Sequence, residues 1–275
     1  MRPEEYQFFV DFVSRRLGHE LGPDKQYLVE SRIQQFLRPE LFAGLGDLIA
    51  NLKIGSDQCL ERKVIDALTV NETFFFRDET PFQFLRNVIL PQIKQQAAKK
   101  ISPDHSLKVW SAACSSGQEA YSIAMLLYED GFASAPWVPS IVATDVCSWA
   151  IDQGRKGTYS DFEVGRGLGE QRKLEHFVHQ GDCWGIKPRL KDMVQFAHFN
   201  LLEKFPPQAP FDVIFCRNVL IYFDVSNKKK VLETIANSLK PHGWLILGGT
   251  ETAMGLCDRF VQPKGAATAV YQLKR

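Results

Sequence analysis

Apolar residues in the first part of the chain recur every three or four positions, which is the spacing of helices that bury one face. The clearest run is Leu60, Val64 and Leu68, at positions i, i+4 and i+8. The period-two alternation that would indicate strands is missing from residues 1–70. The pattern therefore predicts a small helical domain over residues 1–80.

Residues 81–106 are predicted to connect this domain to the rest of the chain. The stretch from Pro81 to Lys100 has a helical pattern. Because proline lacks the backbone N–H that a helix interior needs, we expect the helix to break near Pro91. The stretch ends in two lysines, which close the predicted linker helix.

From residue 107 onward, short apolar runs alternate with helical stretches. Strands are predicted at residues 107–110, 141–144, 211–216, 244–247 and 269–273, and helices at 119–128, 149–153 and 228–239. Strands that alternate with helices pair in parallel beneath helices on both faces, so residues 107–275 are predicted to form a doubly wound α/β domain. We expect the last strand to be antiparallel and to lie at or near an edge.

The alternation is interrupted between residues 154 and 198. Glycines mark turns in this segment, and residues 184–187 and 194–197 have the pattern of short strands. We interpret residues 154–198 as an inserted, small β-subdomain.

Composition and charge narrow the class of protein. The chain has 275 residues, of which 45% are hydrophobic and 24% charged, and its net charge is +1. These values suit a globular protein with a core and argue against a polycation that coats nucleic acid. No apolar run approaches the roughly 18 residues that cross a bilayer, and the acidic start of the chain does not resemble a secretory signal. A cytoplasmic protein without membrane insertion is expected.

No metal site is predicted. The six cysteines lie at least 33 residues apart and form no Cys-x-x-Cys pair, which removes the usual zinc ligands. His176 and His179 have i, i+3 spacing, but no third ligand accompanies them. We expect both histidines on a solvated helix face.

Two carboxylates follow the first two predicted strands of the sheet. Glu119 lies shortly after the first strand, in a segment with one glycine where a dinucleotide-binding protein would carry Gly-x-Gly-x-x-Gly. An acid there repels a phosphate and attracts an ammonium group, which favours S-adenosylmethionine (SAM) over NAD. Asp145 ends the second strand and suits two ribose hydroxyls. Taken singly, Asp145 fits a helix N-cap equally well, and Glu119 an ordinary first-turn acid.

A third polar pair, Arg217 and Asn218, directly follows the buried strand predicted at 211–216. Polar groups beside a buried strand are costly unless they have partners, so a loop that binds a ligand is the favoured interpretation.

Four motifs stand out in the sequence, at residues 68–77 (LTVNETFFFR), 109–119 (VWSAACSSGQE), 200–202 (NLL) and 211–223 (FDVIFCRNVLIYF). Together they resemble motifs of the CheR-type chemotaxis receptor glutamate methyltransferases. The motifs follow one another in the family's order, and the resemblance covers nearly the whole chain, from the helical domain to the last strand. Residues 248–251 (GGTE) depart from the family's usual pattern, which has a serine before the glutamate.

The resemblance implies a SAM site and assigns residues to it. The implied cofactor-binding residues are Asn71, Thr73, Arg77, Glu119, Asp145, Asn200, Leu201, Arg217 and Asn218. The residues at 71, 73 and 77 would lie at the methionine end or beside the methyl group. Glu119 would bind the amino group and Asp145 the ribose, while Asn200 and Leu201 would flank the adenine.

Two of the residues correspond to those nearest the reacting centre in the family. By this resemblance, Arg77 and Tyr222 are the implied catalytic residues. From the sequence pattern alone, Arg77 fits a surface ion pair with Asp78 or Glu79 as well, and Tyr222 fits packing in the core.

The resemblance also implies the reaction and its partners. The expected activity is SAM-dependent methylation of glutamate side chains on cytoplasmic domains of chemoreceptors, with S-adenosylhomocysteine (SAH) as product. The protein is expected to be a monomer that does not bind nucleic acid, and a receptor-tail peptide is the expected ligand of the 154–198 subdomain. Two alternatives stay open: a SAM-dependent methyltransferase of nucleic acid or a small molecule, and a SAM-binding signalling protein without catalysis.

Overall fold

The first part of the chain is a helical layer with its own apolar core. The computed structural model describes residues 1–38, 40–99, 105–203, 210–266 and 269–274. The helices of this layer are α1 Pro3–Leu17, α2 Gln26–Ile33, α3 Leu45–Ile54 and α4 Gln58–Leu68, with 3₁₀ turns at Pro23–Lys25 and Gln34–Phe36. Phe9, Leu48 and Val64 pack in its centre with no exposed surface. Helix α4 begins where the side chain of Asp57 accepts the N–H of Leu60 at 2.9 Å.

A helical connection follows, and it is irregular near Pro91, although it does not leave the helical conformation there. It consists of α5 Thr80–Phe84, a π-helical stretch at Leu85–Ile89 and α6 Leu90–Ala98. The chain stays helical through Pro91, and the regular α-helical pattern is interrupted by the π-helical stretch that ends two residues before this proline. The domain limits 1–80, 81–106 and 107–275 stay a prediction.

The remaining described residues form two sheets with helices around them. In chain order the elements are β1 Ser106–Ala112, α7 Gln118–Glu129, β2 Val138–Asp145, α8 Ser148–Lys156, β3 Thr158–Ser160, α9 Asp161–Gly165, α10 Glu170–His176, β4 Phe177–Gln180, β5 Cys183–Ile186, α11 Pro188–Lys191, β6 Val194–His198, β7 Phe211–Cys216, a 3₁₀ turn at Leu220–Tyr222, α12 Val225–Ser238, β8 Leu239–Leu247, β9 Phe260–Val261 and β10 Val270–Leu273.

The larger sheet confirms the doubly wound α/β prediction. Its strand order is β6-β2-β1-β7-β8-β10-β9. The strands from β6 to β8 pair in parallel, whereas β10 is antiparallel to both β8 and β9, next to the edge as predicted. In the centre, Val109 of β1 lies opposite Ile141 of β2 and Val213 of β7. All three side chains are fully buried and belong to one apolar cluster on the same face of the sheet.

The smaller sheet differs in extent from the predicted 154–198 subdomain. It is antiparallel, with the order β3-β5-β4, and spans residues 158–186. Residues 194–197, predicted as a strand of the insertion, instead belong to β6, which pairs in parallel with β2 at the edge of the larger sheet. Phe196 of β6 packs beside Gly154 of α8, which ties this strand to the main domain.

Among the described residues, we find no helix whose length and apolar character would allow it to span a membrane.

Candidate active site

A cavity of about 340 Å³ lies between the helical layer and the carboxyl ends of β1, β2 and β7. Crevices at this end of a parallel sheet are where α/β proteins bind ligands, because the neighbouring strand ends bring their loops together. All ten residues singled out in the sequence line it: Asn71, Thr73, Arg77, Glu119, Asp145, Asn200, Leu201, Arg217, Asn218 and Tyr222. The structure thus brings the predicted site residues into one cavity, while their individual roles stay predictions.

Glu119 is held at the start of α7 by two donors. Ser111 Oγ donates to Glu119 Oε1 at 2.7 Å, and Arg217 Nη1 donates to Glu119 Oε2 at 3.0 Å. Burial raises the pKa of Glu119, and the positive charge of Arg217 opposes that rise. The turn before the helix requires Gly117, which has φ +93° and would bring any Cβ within 2.9 Å of the ring of Phe196.

Asp145 is buried at the end of β2 and accepts backbone N–H groups. Its Oδ2 accepts the N–H of Ser115 at 2.8 Å, and its Oδ1 accepts the N–H of Cys147 at 2.8 Å. Burial raises the pKa of Asp145, while these backbone hydrogen bonds lower it. The N-cap interpretation is wrong, because Cys147 is the N-cap residue of α8. Asp145 therefore ties the loop after β1 to the end of β2.

Arg217 connects three parts of the cavity wall. Its side chain is only 2% exposed, and besides Glu119 it donates from Nη2 to the carbonyl of Arg77 and to Asp78 Oδ2, each at 2.8 Å. Its Nε is buried and has no hydrogen-bond partner among the described residues. A buried donor of this kind is costly unless a ligand or water satisfies it.

Glu251 shapes the loop that contains Asn218 and Tyr222. The carboxylate accepts five backbone N–H groups at 2.7–3.3 Å, from Asn218, Val219, Leu220, Ile221 and Gly248. Asn218 has φ +59°, a left-handed conformation that such an anchor stabilises. In the sequence, Glu251 is notable only as part of a departure from the family pattern, and nothing there predicts this structural role.

Arg77 belongs to the segment 71–77, which forms another wall. Its Nη1 donates to the carbonyl of Glu72 at 2.8 Å, and its guanidinium lies 5.7 Å from the centre of the Phe74 ring. The described contacts do not include the surface pair with Asp78, which pairs with Arg217 instead. Arg77 is thus held on one side by its own segment.

Asn71, at the other end of this segment, is fixed by hydrogen bonds. Its side-chain amide donates to Thr69 Oγ1 at 3.3 Å and to Cys147 Sγ at 3.2 Å, and its carbonyl accepts the hydroxyl of Ser115 at 2.9 Å. These contacts attach segment 71–77 to the loops after both β1 and β2.

The helical layer contributes directly to the cavity through the end of α1. His19 forms a β-bridge with Phe223, and the N–H of Glu20 donates to the carbonyl of Tyr222 at 2.8 Å. Burial lowers the pKa of His19 to about 4, so its ring is neutral near pH 7. Asn200 Nδ2 donates to the carbonyl of Arg16 at 2.7 Å. His19 is not among the predicted site residues, because no local sequence pattern indicates it.

His176 corrects the expectation of a solvated helix face. Its ring is fully buried, and Nε2 lies 3.2 Å from Glu129 Oε1, while His179 is exposed in β4. Burial opposes ionisation of Glu129, but hydrogen bonds from His176 and Arg172 lower its pKa to about 2. Within the described parts of the chain, no group of three or more His, Cys, Asp or Glu side chains is arranged to hold a metal ion.

The residues present fit SAM. Two buried carboxylates, Glu119 and Asp145, suit its amino group and its ribose hydroxyls, and the unpaired Nε of Arg217 offers a donor to a carboxylate. The volume of the cavity also lies in the range of small-molecule sites.

Comparisons with known proteins agree with this fold. Residues 71–268 match the family model described as CheR methyltransferase, SAM binding domain, and residues 4–69 match the one described as CheR methyltransferase, all-alpha domain. These matches define a two-part methyltransferase, and the chain belongs to the CheR methyltransferase family.

Curated relatives match over nearly their whole length. The chemotaxis protein methyltransferase Cher2 of Pseudomonas putida is 36% identical over 274 residues, covering 98% of each chain. A chemotaxis protein methyltransferase of Vibrio parahaemolyticus is 39% identical, covering 98% of this chain and 97% of its own. One from Listeria monocytogenes is 32% identical over 255 residues, covering 93% and 92%.

Proposed function

We propose that this protein is a SAM-dependent protein-glutamate O-methyltransferase that modifies glutamate side chains on the cytoplasmic domains of chemoreceptors. Its products are glutamate methyl esters and SAH. The observation that carries the proposal is one cavity in which the buried carboxylates Glu119 and Asp145 stand beside Arg77 and Tyr222. Membership of the CheR family and the names of its curated relatives support the chemoreceptor as acceptor.

The cavity offers a partner for each part of SAM. In our assignment, Glu119 accepts the amino group, and Asp145 accepts the ribose hydroxyls. Asn200 and Leu201 flank the adenine at the side where the helical layer closes the cavity. The remaining cofactor-binding residues, on the methionine side, are Asn71, Thr73, Arg77, Arg217 and Asn218.

Methyl transfer to a carboxylate requires little proton transfer by the side chains of the protein. SAM supplies a methyl group on a positively charged sulfur, and its transfer to a carboxylate oxygen leaves a neutral thioether and a methyl ester. A glutamate acceptor has an unperturbed pKa of about 4.3 and is already an anion near neutral pH. The residues around the cavity therefore have to align the acceptor and exclude water, which contributes roughly 7–11 kcal/mol in well-oriented reactions. In this scheme Arg77 steers the acceptor carboxylate and Tyr222 positions it.

The small antiparallel sheet is the proposed binding site for a receptor-tail peptide. Strand β4 lies at its edge, and an extended peptide adds to such an edge through backbone hydrogen bonds. Exposed apolar side chains nearby in the chain, Phe162, Leu174 and Val178, would give the peptide contacts for its own side chains. We further propose that the protein acts as a monomer in the cytoplasm, where the acceptor glutamates lie.

The proposal is tested by methyl transfer to a purified acceptor. The protein is incubated with methyl-labelled SAM and the cytoplasmic domain of a chemoreceptor from the same organism, and the product is then treated with mild base. We expect label on the receptor domain that base releases, as it does from a carboxyl methyl ester. The matched control is the same domain with glutamine at the labelled positions, which should take up no label.

Two other results would contradict the proposal. Label on nucleic acid or on a small molecule, without label on the receptor, would favour a methyltransferase of another substrate class. Binding of SAM without transfer to any acceptor would favour a signalling protein that senses SAM.

A further inference from the structure

The turn between α9 and α10 lies directly on the segment 71–77 of the cavity wall. Arg166, in this turn, donates from Nη2 to Glu72 Oε1 at 2.9 Å. Its guanidinium also lies 4.2 Å from the centre of the Phe74 ring. Arg166 is thus one of the residues through which the inserted part of the chain contacts segment 71–77, another being Arg172, which lies 4.0 Å from the centre of the Phe76 ring.

Arg77 contacts the same two residues, Glu72 and Phe74. It donates to the carbonyl of Glu72 at 2.8 Å and lies 5.7 Å from the centre of the Phe74 ring. Glu72 and Phe74 are therefore shared between the guanidinium of Arg166 and that of Arg77. A shift of either shared residue would alter the surroundings of both arginines.

The backbone beside Arg166 is also in close contact with this wall. Gly167 has φ +87°, and a Cβ added there would overlap the carbonyl oxygen of Phe75. Only glycine allows the turn to approach the segment this closely. The position of Arg166 is therefore fixed by the backbone as well as by its own side chain.

We propose that Arg166 is a positioning residue for Arg77, acting through Glu72 and Phe74; this inference rests on the proposed role of Arg77. The Arg166 and Glu72 side chains are 43% and 61% exposed, so their ion pair contributes little to the stability of the fold. Its contribution is to hold the Arg77 guanidinium in one orientation towards the acceptor. Methyl transfer is sensitive to small displacements of the groups that align the reactants.

The test compares Arg166→Ala and Arg166→Lys with a matched control, Arg189→Ala. Arg189 lies on α11 and donates to the carbonyl of Glu175 at 2.7 Å. It also stacks on an aromatic ring, that of Tyr128, at 4.3 Å. The control therefore removes the same kind of side chain at a place that does not contact segment 71–77.

Three quantities are measured for each variant. They are the single-turnover rate of methyl transfer to the receptor domain, the affinity for SAH by calorimetry, and hydrogen exchange of the peptide covering residues 72–77. That peptide contains the amide of Phe76, which donates to Ser122 Oγ at 2.9 Å. Exchange reports on the wall segment whether or not methyl transfer takes place.

For Arg166→Ala, we expect a rate about 10-fold lower, an unchanged SAH affinity and faster exchange over residues 72–77. Arg166→Lys should recover part of the rate, because lysine keeps the charge opposite Glu72 but loses the planar stack on Phe74. Arg189→Ala should behave as the wild type.

Wild-type rate and exchange in Arg166→Ala would overturn the inference, as would an equal loss of rate in Arg189→Ala. A loss of SAH affinity that accounts for the whole effect would overturn it too. If the wild-type protein transfers no methyl group to the receptor, the proposed function fails, and the exchange comparison still decides whether Arg166 holds the wall segment.

Discussion

The rings of His19 and Tyr222 lie against each other, with their centroids 5.3 Å apart and their planes inclined by 35°. His19 follows the first helix of the helical layer, and Tyr222 lies in the loop after β7. Because Tyr222 lines the cavity, the helical layer completes the active site in addition to covering it. This contact joins the two parts that the family models match, residues 4–69 and 71–268.

The buried ring of His19 predicts a pH dependence of stability. Its pKa is about 4 in the folded protein and about 6.5 when unfolded, so the unfolded chain binds more protons between these values. The stabilisation that comes from burying His19 as a neutral ring is fully present above pH 6.5. As the pH drops towards 4, the free energy of unfolding falls by at most about 1.4 kcal/mol per pH unit.

Urea unfolding at pH 7.5 and pH 5 measures this effect. Between pH 7.5 and pH 5, the free energy of unfolding of the wild type should fall by more than that of His19→Gln. His179→Gln, which changes an exposed histidine, is the control and should show no such shift. An unchanged difference for His19→Gln would show that this ring is not buried as a neutral group.

Replacement of Asp145 by alanine should chiefly weaken cofactor binding. Hydrogen bonds to a charged group contribute about 1.5–3 kcal/mol, so the affinity for SAH should fall on the order of 10- to 100-fold. Calorimetry with SAH measures the change. The control is Asp152→Ala, an exposed carboxylate of α8 that pairs with Arg155. Equal affinities for the wild type and Asp145→Ala would refute the ribose assignment.

Replacement of Arg77 by alanine should slow the chemical step. We expect a turnover rate on the order of 100-fold lower, because the acceptor carboxylate loses the guanidinium that orients it. The carbonyl of Arg77, which accepts from Arg217, is kept in this variant, so the affinity for SAH should fall by less than the rate does. Single-turnover rates and calorimetry separate the two effects. A large loss of affinity with an unchanged rate at saturating SAM would assign Arg77 to cofactor binding alone.

Replacement of Glu251 by alanine should destabilise the loop that carries Tyr222. Five backbone N–H groups lose their acceptor, and we expect the free energy of unfolding to fall by about 2–4 kcal/mol. Denaturant unfolding measures this loss. Glu233→Ala removes an exposed carboxylate paired with Arg259 and should cost less than about 1 kcal/mol. Similar losses in the two variants would argue against an anchoring role for Glu251.

The site residues at the strand ends could be predicted from the sequence, because the carboxyl ends of neighbouring parallel strands lie at the same edge of the sheet. Glu119 and Asp145 follow neighbouring strands, so their convergence follows once the strands are recognised. The contact of His19 with Tyr222 could not be predicted in this way, because it depends on how the helical layer docks. The same holds for Arg166, whose partners Glu72 and Phe74 lie more than 90 residues away.

Local patterns also left strand partners undetermined. Residues 194–197 carry the pattern of a short strand whether they pair within the insertion or with β2, and the structure pairs them with β2. His176 was expected in solvent because a helical position says nothing about the carboxylate of Glu129 that reaches it from α7. Helix α3 was not predicted individually, although Leu48 and Leu52 have helical spacing and both are buried.

The central claim, that this cavity holds the methyl donor, is tested most directly by a crystal structure grown with SAH. The account predicts electron density for SAH with its amino group on the carboxylate of Glu119 and its ribose hydroxyls on that of Asp145, beside Arg217. SAH found at another place on the protein, or a cavity without SAH at a saturating concentration, would contradict it.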